Sequence, residues 1–575
     1  MKKLTNLLIT VLFLQVGCTN LDLNPLSEGS SQSWYSNQTE VELSVNYLYF
    51  WRFWDIDPDP NNFGNMGWRD SWTDDWTNRN IVSPFANGTL NPQADYVTSY
   101  WRIYYTCIAA SNNLISKLES TSAGLTESKI KEYLANARFA RAAQYSKLIF
   151  HWGDVPYLDK TLTIEEAFKL GRTKKEKILE TIYDDFDYAA EHLPLSYTSA
   201  QNKRGTKGAA LALKARIALY MHDYEAASNA AKACIDLQVY KLNDDFSSQF
   251  YSASKNSAES IFTIPRSVEL NLYTPAAITQ QPLPRNAGGN SYFWPSWDLF
   301  CSFLCIDGLP IDESRLYNPQ RPFENRDPRC NASIVPFGTD WGGYIYQPHP
   351  DSLTTLRTTT GTKVSNNDSR GIIQWASWNG LIWRKRIDND WYGDFLTDPD
   401  HIVIRYADVL LIYAEASIEL NQITELTMSA MNQVRARAYK TAPSEINKYP
   451  TIPLASQSAL RRVLRIERRM EFAFEGLRYN DIIRWKLAEK VLNKPIYGMI
   501  DPEDQREKIV KPGLWFFPEV TPIDEDGISD FDPMFRKGYV KILALRSFDK
   551  EKHYLWPIPA NEIVINKNIV QNPRY

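Results

Sequence analysis

The segment Trp68-Arg69-Asp70-Ser71-Trp72-Thr73-Asp74-Asp75-Trp76-Thr77-Asn78-Arg79 sets three indoles four residues apart and interleaves them with charges. At helical spacing all three rings would share one side. An indole has a flat apolar face and a polar tip. A row of them beside Asp, Asn and Arg can hold a ligand with a C–H face and a rim of hydroxyls, which is the chemistry of a sugar ring. Trp68, Arg69, Trp72, Asp74, Trp76 and Asn78 are therefore candidate ligand contacts. The charges favour partial exposure, because each would need a partner if buried. Core and loop packing is the alternative use of the same residues.

Three further sets carry the same chemistry. Ser291 to Asp298 holds Tyr292, Phe293, Trp294 and Trp297 after the turn-forming run Asn286-Ala287-Gly288-Gly289-Asn290. It reads as a loop, with Tyr292, Trp294 and Trp297 as candidates. Trp341, Tyr344 and Tyr346 flank Gly342-Gly343, and Trp375, Trp378 and Trp383 alternate with Gly and Asn. Aromatic residues make up 13% of the chain, including 18 Trp and 32 Tyr, more than a core is expected to absorb.

Other chemistries are less well served. Asp524, Asp526, Asp530 and Asp532, with Gly527, resemble a calcium loop, but Phe535 stands where the closing Glu belongs. Asp55-Ile56-Asp57-Pro58-Asp59 opens similarly, yet Pro60 replaces the needed glycine and Met66 the closing acid. No other cofactor is implied. The sequence contains no HExxH, no GxSxG elbow and no phosphate-cradling glycine loop. Asp74 and Asp75 are adjacent, so their spacing says nothing about the separation that glycoside hydrolysis requires. Glu467, Glu471 and Glu475 form an i, i+4 row beside Arg468, Arg469 and Arg478, which reads as a charged scaffold face.

The first seventeen residues read as a signal peptide: Lys2 and Lys3, a mostly apolar run from Leu7 to Leu14, then Gly17 before Cys18. The run is too short to span a bilayer. A cysteine at this place looks like a bacterial lipoprotein leader, with cleavage before Cys18 and acylation there, including palmitate. Gln15 departs from the aliphatic residue expected in such a leader. Net charge is -4 and no block of five like charges occurs, which argues against a nucleic-acid partner. Cys107 and Cys234 sit on apolar helical faces and read as buried thiols. Cys301, Cys305 and Cys330 lie close enough in sequence for a disulfide to be allowed in an exported chain.

These residues need a scaffold. Helical periodicity dominates 101–237 and 402–493. Alanine-rich pairs with short links read as antiparallel helices resembling tetratricopeptide repeats: Gly208 to Met221 with Tyr224 to Ile235, Ala407 to Leu420 with Met428 to Tyr439, and Ala459 to Phe474 with Tyr479 to Leu492. The parts at 50–100 and 239–401 are rich in Pro, Gly and Asn and read as loops, except for a short strand at Phe262-Thr263-Ile264. The segment 494–575 is also loop-rich. The expected fold is mostly α, a helix-pair scaffold carrying a large irregular subdomain, with residues 18–575 as one body.

Four blocks make the chain similar to the SusD/RagB family of outer-membrane nutrient-binding lipoproteins. They are Arg138 to Tyr157, Arg405 to Asn421, Arg468 to Trp485 and Tyr554 to Tyr575, in the family order, with Asn20 to Pro25 after the leader. Arg574 stands where the family usually has glycine. The resemblance implies four tetratricopeptide-like helix pairs, an outward-facing position on an outer membrane, and a TonB-dependent barrel transporter as partner. It implies an oligosaccharide ligand, and ligand contact by the stretch before the Trp101 helix. Some relatives handle peptides, so peptide capture is the first alternative, and a surface glycoside hydrolase is the second.

Overall fold

The computed structural model describes residues 34–54, 68–120, 124–198 and 203–575. The leader, Cys18 and the acidic run from Asp55 to Asp59 lie outside these residues, as does the side chain of Trp68.

The fold is mostly α. A short helix α1 (Gln38–Tyr47) precedes α2 (Asp95–Ser120), α3 (Glu127–Trp152), α4 (Lys175–His192), α5 (Lys207–Tyr220) and α6 (Tyr224–Asp236). After the loop-rich part come α7 (Tyr406–Glu419), α8 (Glu425–Ala438), α9 (Gln457–Glu471) and α10 (Arg478–Arg484). From α2 to α7 each helix packs on the next, and α7 then meets both α8 and α9. Local chemistry sets the ends. Thr126 caps α3 by accepting from Lys129 N, and Gly153, at φ 74°, ends it. Asp223 caps α6 by accepting from Ala226 N across the tight turn at His222. Ala209, Ala212, Ala215 and Ala218 of α5 are buried together with Ala227, Ala230 and Ala231 of α6, so small side chains give this pair its close approach.

The stretch from Tyr479 to Leu492 differs from the single helix expected. α10 stops at Arg484, Lys486 turns at φ 56°, and a one-turn helix follows at Ala488–Val491. The break lets Leu487 fold back, its N–H donating to Ile482 O at 2.9 Å, and bury its side chain in the helical core.

The irregular part is built on short antiparallel pairings. β2 (Ser260–Ile264) pairs with β8 (His401–Arg405), so the strand expected near Phe262 joins the two helical halves. β1 (Trp76–Thr77) pairs with β3 (Trp294–Pro295). β4 (Asp340–Trp341), β5 (Tyr344–Ile345), β6 (Thr354–Arg357) and β7 (Thr362–Ser365) form a meander. β9 (Ile496–Met499) pairs with β10 (Val540–Ala544). A second apolar core beneath these elements gathers Trp76, Trp297, Trp383, Trp391, Phe474 and Phe517. Much of the aromatic excess therefore goes inside.

The last residues close the helical core. Trp556 stacks on His151 at 4.1 Å, and Trp152 Nε1 donates to Pro557 O at 2.8 Å. Asn572 Nδ2 donates to the carbonyls of Trp152 and Trp556 at 2.9 and 2.7 Å. The five cysteines among the described residues are buried free thiols, so the allowed disulfide among Cys301, Cys305 and Cys330 is not formed.

Candidate functional site

The Trp68 to Arg79 segment is not the exposed row that its charges suggested. Trp72 is 2% exposed, Trp76 6%, Asp74 1% and Asn78 0%, and Arg69 is buried as well. The condition for burial is met from far along the chain. Asp74 pairs with Arg469 and Arg478, and Asp75 pairs with Arg469. With Asp74 and Asp75 neutralised, the segment packs against α9 and α10. Trp72 then packs into a cluster with Phe85, Tyr479 and Trp556. Burial of Trp72, Asp74, Trp76, Asn78 and Arg69 corrects the expectation that this segment is an exposed row of ligand contacts.

Trp294 and Trp297 are corrected in the same way. Both are buried, and their N–H groups are satisfied internally, Trp294 by Ser291 O at 3.0 Å and Trp297 by Asn379 O at 2.8 Å. Neither ring face is open to a ligand.

The calcium-like loop is tied up by a cation of the protein itself. Lys490 Nζ lies 2.9 Å from Asp524 and 2.6 Å from Asp526, while Asp532 accepts from Tyr497 Oη. Among the described residues no three His, Cys, Asp or Glu side chains converge as a metal site. The Glu467, Glu471 and Glu475 row is buried, and its partners come from other elements. Arg329 and Arg435 bind Glu467, Arg405 and Arg437 bind Glu471, and Arg405 and Lys385 bind Glu475. Burial alone would raise the Glu471 carboxyl, but Arg437, Arg405 and Arg329 overcome it and hold the group well below the ordinary range.

What stays at the surface is a different aromatic group. β1 and β3 run antiparallel with Thr77 opposite Trp294. The chain then turns at Asn78, whose carbonyl accepts from Ile81 N at 2.7 Å, with Arg79 at φ 42°. This brings the Arg79 guanidinium 5.6 Å from the Tyr292 ring and 4.7 Å from the Trp375 ring. Trp375 is 47% exposed and Tyr292 is half-buried. Arg79 Nη2 donates to Trp375 O at 3.3 Å, and Arg285 Nε donates to the same oxygen at 3.0 Å. Burial, and next the Arg285 charge, disfavour the Arg79 cation.

Asp368 positions Arg285. Its carboxylate accepts from the backbone N–H of Arg285 at 2.6 Å and of Asn286 at 3.3 Å, which fixes the turn and leaves the guanidinium free to reach outward. Burial pushes the Asp368 carboxyl up to about 6, against the pull of those two N–H groups and Arg285. The β4–β5 tip abuts this turn. A Cβ at Gly342, whose φ is 62°, would lie 2.7 Å from the Ala287 Cβ and 2.5 Å from Tyr392, so only glycine fits. Trp341 and Tyr344 flank that tip, both half-buried, under Arg384 and Arg357 respectively.

Of the sequence candidates, Tyr292, Trp341 and Tyr344 stay partly exposed in the irregular part. Around Tyr292 the fold sets Arg79, the last residue of the Trp68 segment, Trp375 of the third aromatic set, and Arg285, which the sequence had not singled out. An arginine directly before Asn-Ala-Gly-Gly, in a loop that leads to an aromatic run, was the available signal for Arg285.

Comparison with known proteins agrees with this architecture. The model described as "SusD family" matches residues 255–575, and one described as "Starch-binding associating with outer membrane" matches residues 59–219. The chain belongs to the SusD family. SusD-like protein P25 of Formosa agariphila is 24% identical over 529 residues, covering 87% of this chain and 93% of the relative. SusD-like protein P2 of the same organism is 24% identical over 598 residues, covering 100% of each. The crystal structure of a SusD-like carbohydrate binding protein from Bacteroides fragilis superposes with a TM-score of 0.76 at 28% identity, covering 93% of this chain and 99% of that one. The second family description associates its members with the outer membrane. Among the described residues no helix is long and apolar enough to cross a membrane.

Proposed function

We propose that the protein is a non-enzymatic, surface-exposed glycan-binding lipoprotein. It captures oligosaccharides and delivers them to a TonB-dependent outer-membrane transporter. The observation that carries this reading is the exposed indole of Trp375, set beside Tyr292, Arg79 and Arg285 on a rigid turn. Stacking on a flat ring with polar groups at its edge is the way a site holds a sugar without acting on it. Membership of the SusD family and the likeness to a carbohydrate binding protein support it. The acid pairs that could be read as catalytic, Asp74 with Asp75 and the Glu467 row, are engaged by arginines, which supports binding over hydrolysis. Acylation at Cys18 would hold the protein at the membrane beside its transporter.

The test is a binding panel of polysaccharides and peptides with analysis of products. Retention of a polysaccharide without cleavage, lost in Trp375→Ala, is the expected result. Binding of peptides alone, or release of shortened product by the pure protein, would overturn the reading.

A further inference from the structure

We infer that the site selects acidic glycans, with Arg79 and Arg285 receiving a carboxylate or sulfate ester of a sugar whose ring lies on Trp375. The inference rests on the glycan-capture reading and adds the chemical class of the ligand.

The argument starts from how this protein treats its other arginines. Arg329, Arg405, Arg469 and Arg478 are buried, and each is matched by at least one carboxylate within 3.2 Å. Arg79 and Arg285 are different. Among the described residues neither is ion-paired. Each spends one donor on the same neutral acceptor, the carbonyl of Trp375. A guanidinium has five N–H donors in a fixed fork, so most of the hydrogen-bonding capacity of both groups is unspent. Holding two like charges against one oxygen is unfavourable without an anion. Among the described residues the one nearby acid, Asp368, has its oxygens on backbone N–H groups and acts on Arg285 only through its charge, without an ion pair.

The geometry suits a charged sugar. Arg79 covers one side of the Trp375 ring at 4.7 Å, and about half of that residue stays open. A sugar held on the exposed part of Trp375 would lie next to the two guanidiniums that converge on this residue's carbonyl. Planar forks match carboxylate and sulfate oxygens in pairs, which a neutral hydroxyl cannot exploit. A lysine would supply charge without that fit.

The test measures binding of the purified protein to polygalacturonate, alginate, chondroitin sulfate and fucoidan. It runs in parallel with neutral laminarin, amylopectin and xyloglucan. Each acidic polymer that binds is retested after carboxyl reduction or desulfation, which separates uronate from sulfate. The expected result is binding of at least one acidic polymer, weakened tenfold or more by removal of its charged groups and by either Arg79→Ala or Arg285→Ala. Arg285→Lys should recover only part of the loss. Circular dichroism and melting curves confirm that each variant is folded. Binding of neutral polymers alone, lost in Trp375→Ala but untouched in the arginine variants, would overturn this inference and leave glycan capture standing. Acidic binding that survives both arginine substitutions would overturn it too. Retention of no polysaccharide would overturn both readings.

Discussion

Asp74 and Arg478 face each other through two parallel hydrogen bonds, Nε to Oδ1 at 2.9 Å and Nη2 to Oδ2 at 2.8 Å, with both side chains buried. The pair clamps the Trp72 segment onto α10. Removing one partner strands a buried charge. Asp74→Ala is expected to cost ~3–5 kcal/mol, read as a lowered denaturation midpoint. An unchanged midpoint would mean that Asp75 alone holds the segment.

The Glu471 network makes stability depend on acid. Its folded pKa lies below the unfolded value, so its contribution is complete above the ordinary carboxylate range and is lost as pH falls. Asp408 and Glu415 are shifted the same way: burial opposes ionisation, and Arg216 and Arg468, or Arg484 and Arg468, more than compensate. Melting temperatures should hold from neutral pH to about 5 and fall steeply below about 4. A melting temperature that rises on acidification would contradict this assignment.

Asp368 gives ligand binding its own pH dependence. Its folded carboxyl titrates near 6, so below that pH the group is neutral and no longer offsets Arg285. Affinity for a sulfated polymer, whose own charge does not change in this range, should rise as pH falls from 7 to 5. Asp368→Asn should flatten that rise. Titrations at three pH values on the native protein and the variant would decide it.

Two tryptophans should separate binding from folding. Trp375 is 47% exposed, so Trp375→Ala should shift stability by within ~0.5 kcal/mol while weakening glycan binding about tenfold. Trp294 is fully buried, so Trp294→Ala should cost ~3–5 kcal/mol. Parallel denaturation and affinity measurements would expose an inverted pattern.

Cys18→Ala should abolish incorporation of labelled palmitate and release the protein from the membrane fraction. Continued membrane association without label would point to another means of attachment.

The helices were legible because their information is local. The alanine spacing of α5 and α6, the Asp223 cap and the Gly153 stop all lie within a few residues of what they control. The strand near Phe262 was legible for the same reason, although its partner β8 was not. The site was legible only in part. Tyr292, Trp341 and Tyr344 stay partly exposed, whereas Trp72 and Trp76 were placed at the surface because the counter-charges of Asp74 lie about four hundred residues away, at Arg469 and Arg478. No local spacing records such a pairing. Arg79 and Arg285 carry the opposite lesson, since what sets them apart is the absence of a described carboxylate partner, which only the assembled fold displays.

The docking of Trp556 and Asn572 against Trp152 also fixes the order in which the molecule can be assembled. The hydrogen bonds between these segments span 405 and 420 residues of chain. A polypeptide emerging amino end first presents α3 long before the residues that cover its end. Closing so long a loop is entropically costly and slows folding. Until that closure, His151, Trp152 and Tyr479 are left without their cover, and the half-built helical array exposes apolar surface to aggregation and proteolysis. The final contact thus acts as a checkpoint, because the helical core is sealed only once these residues have docked.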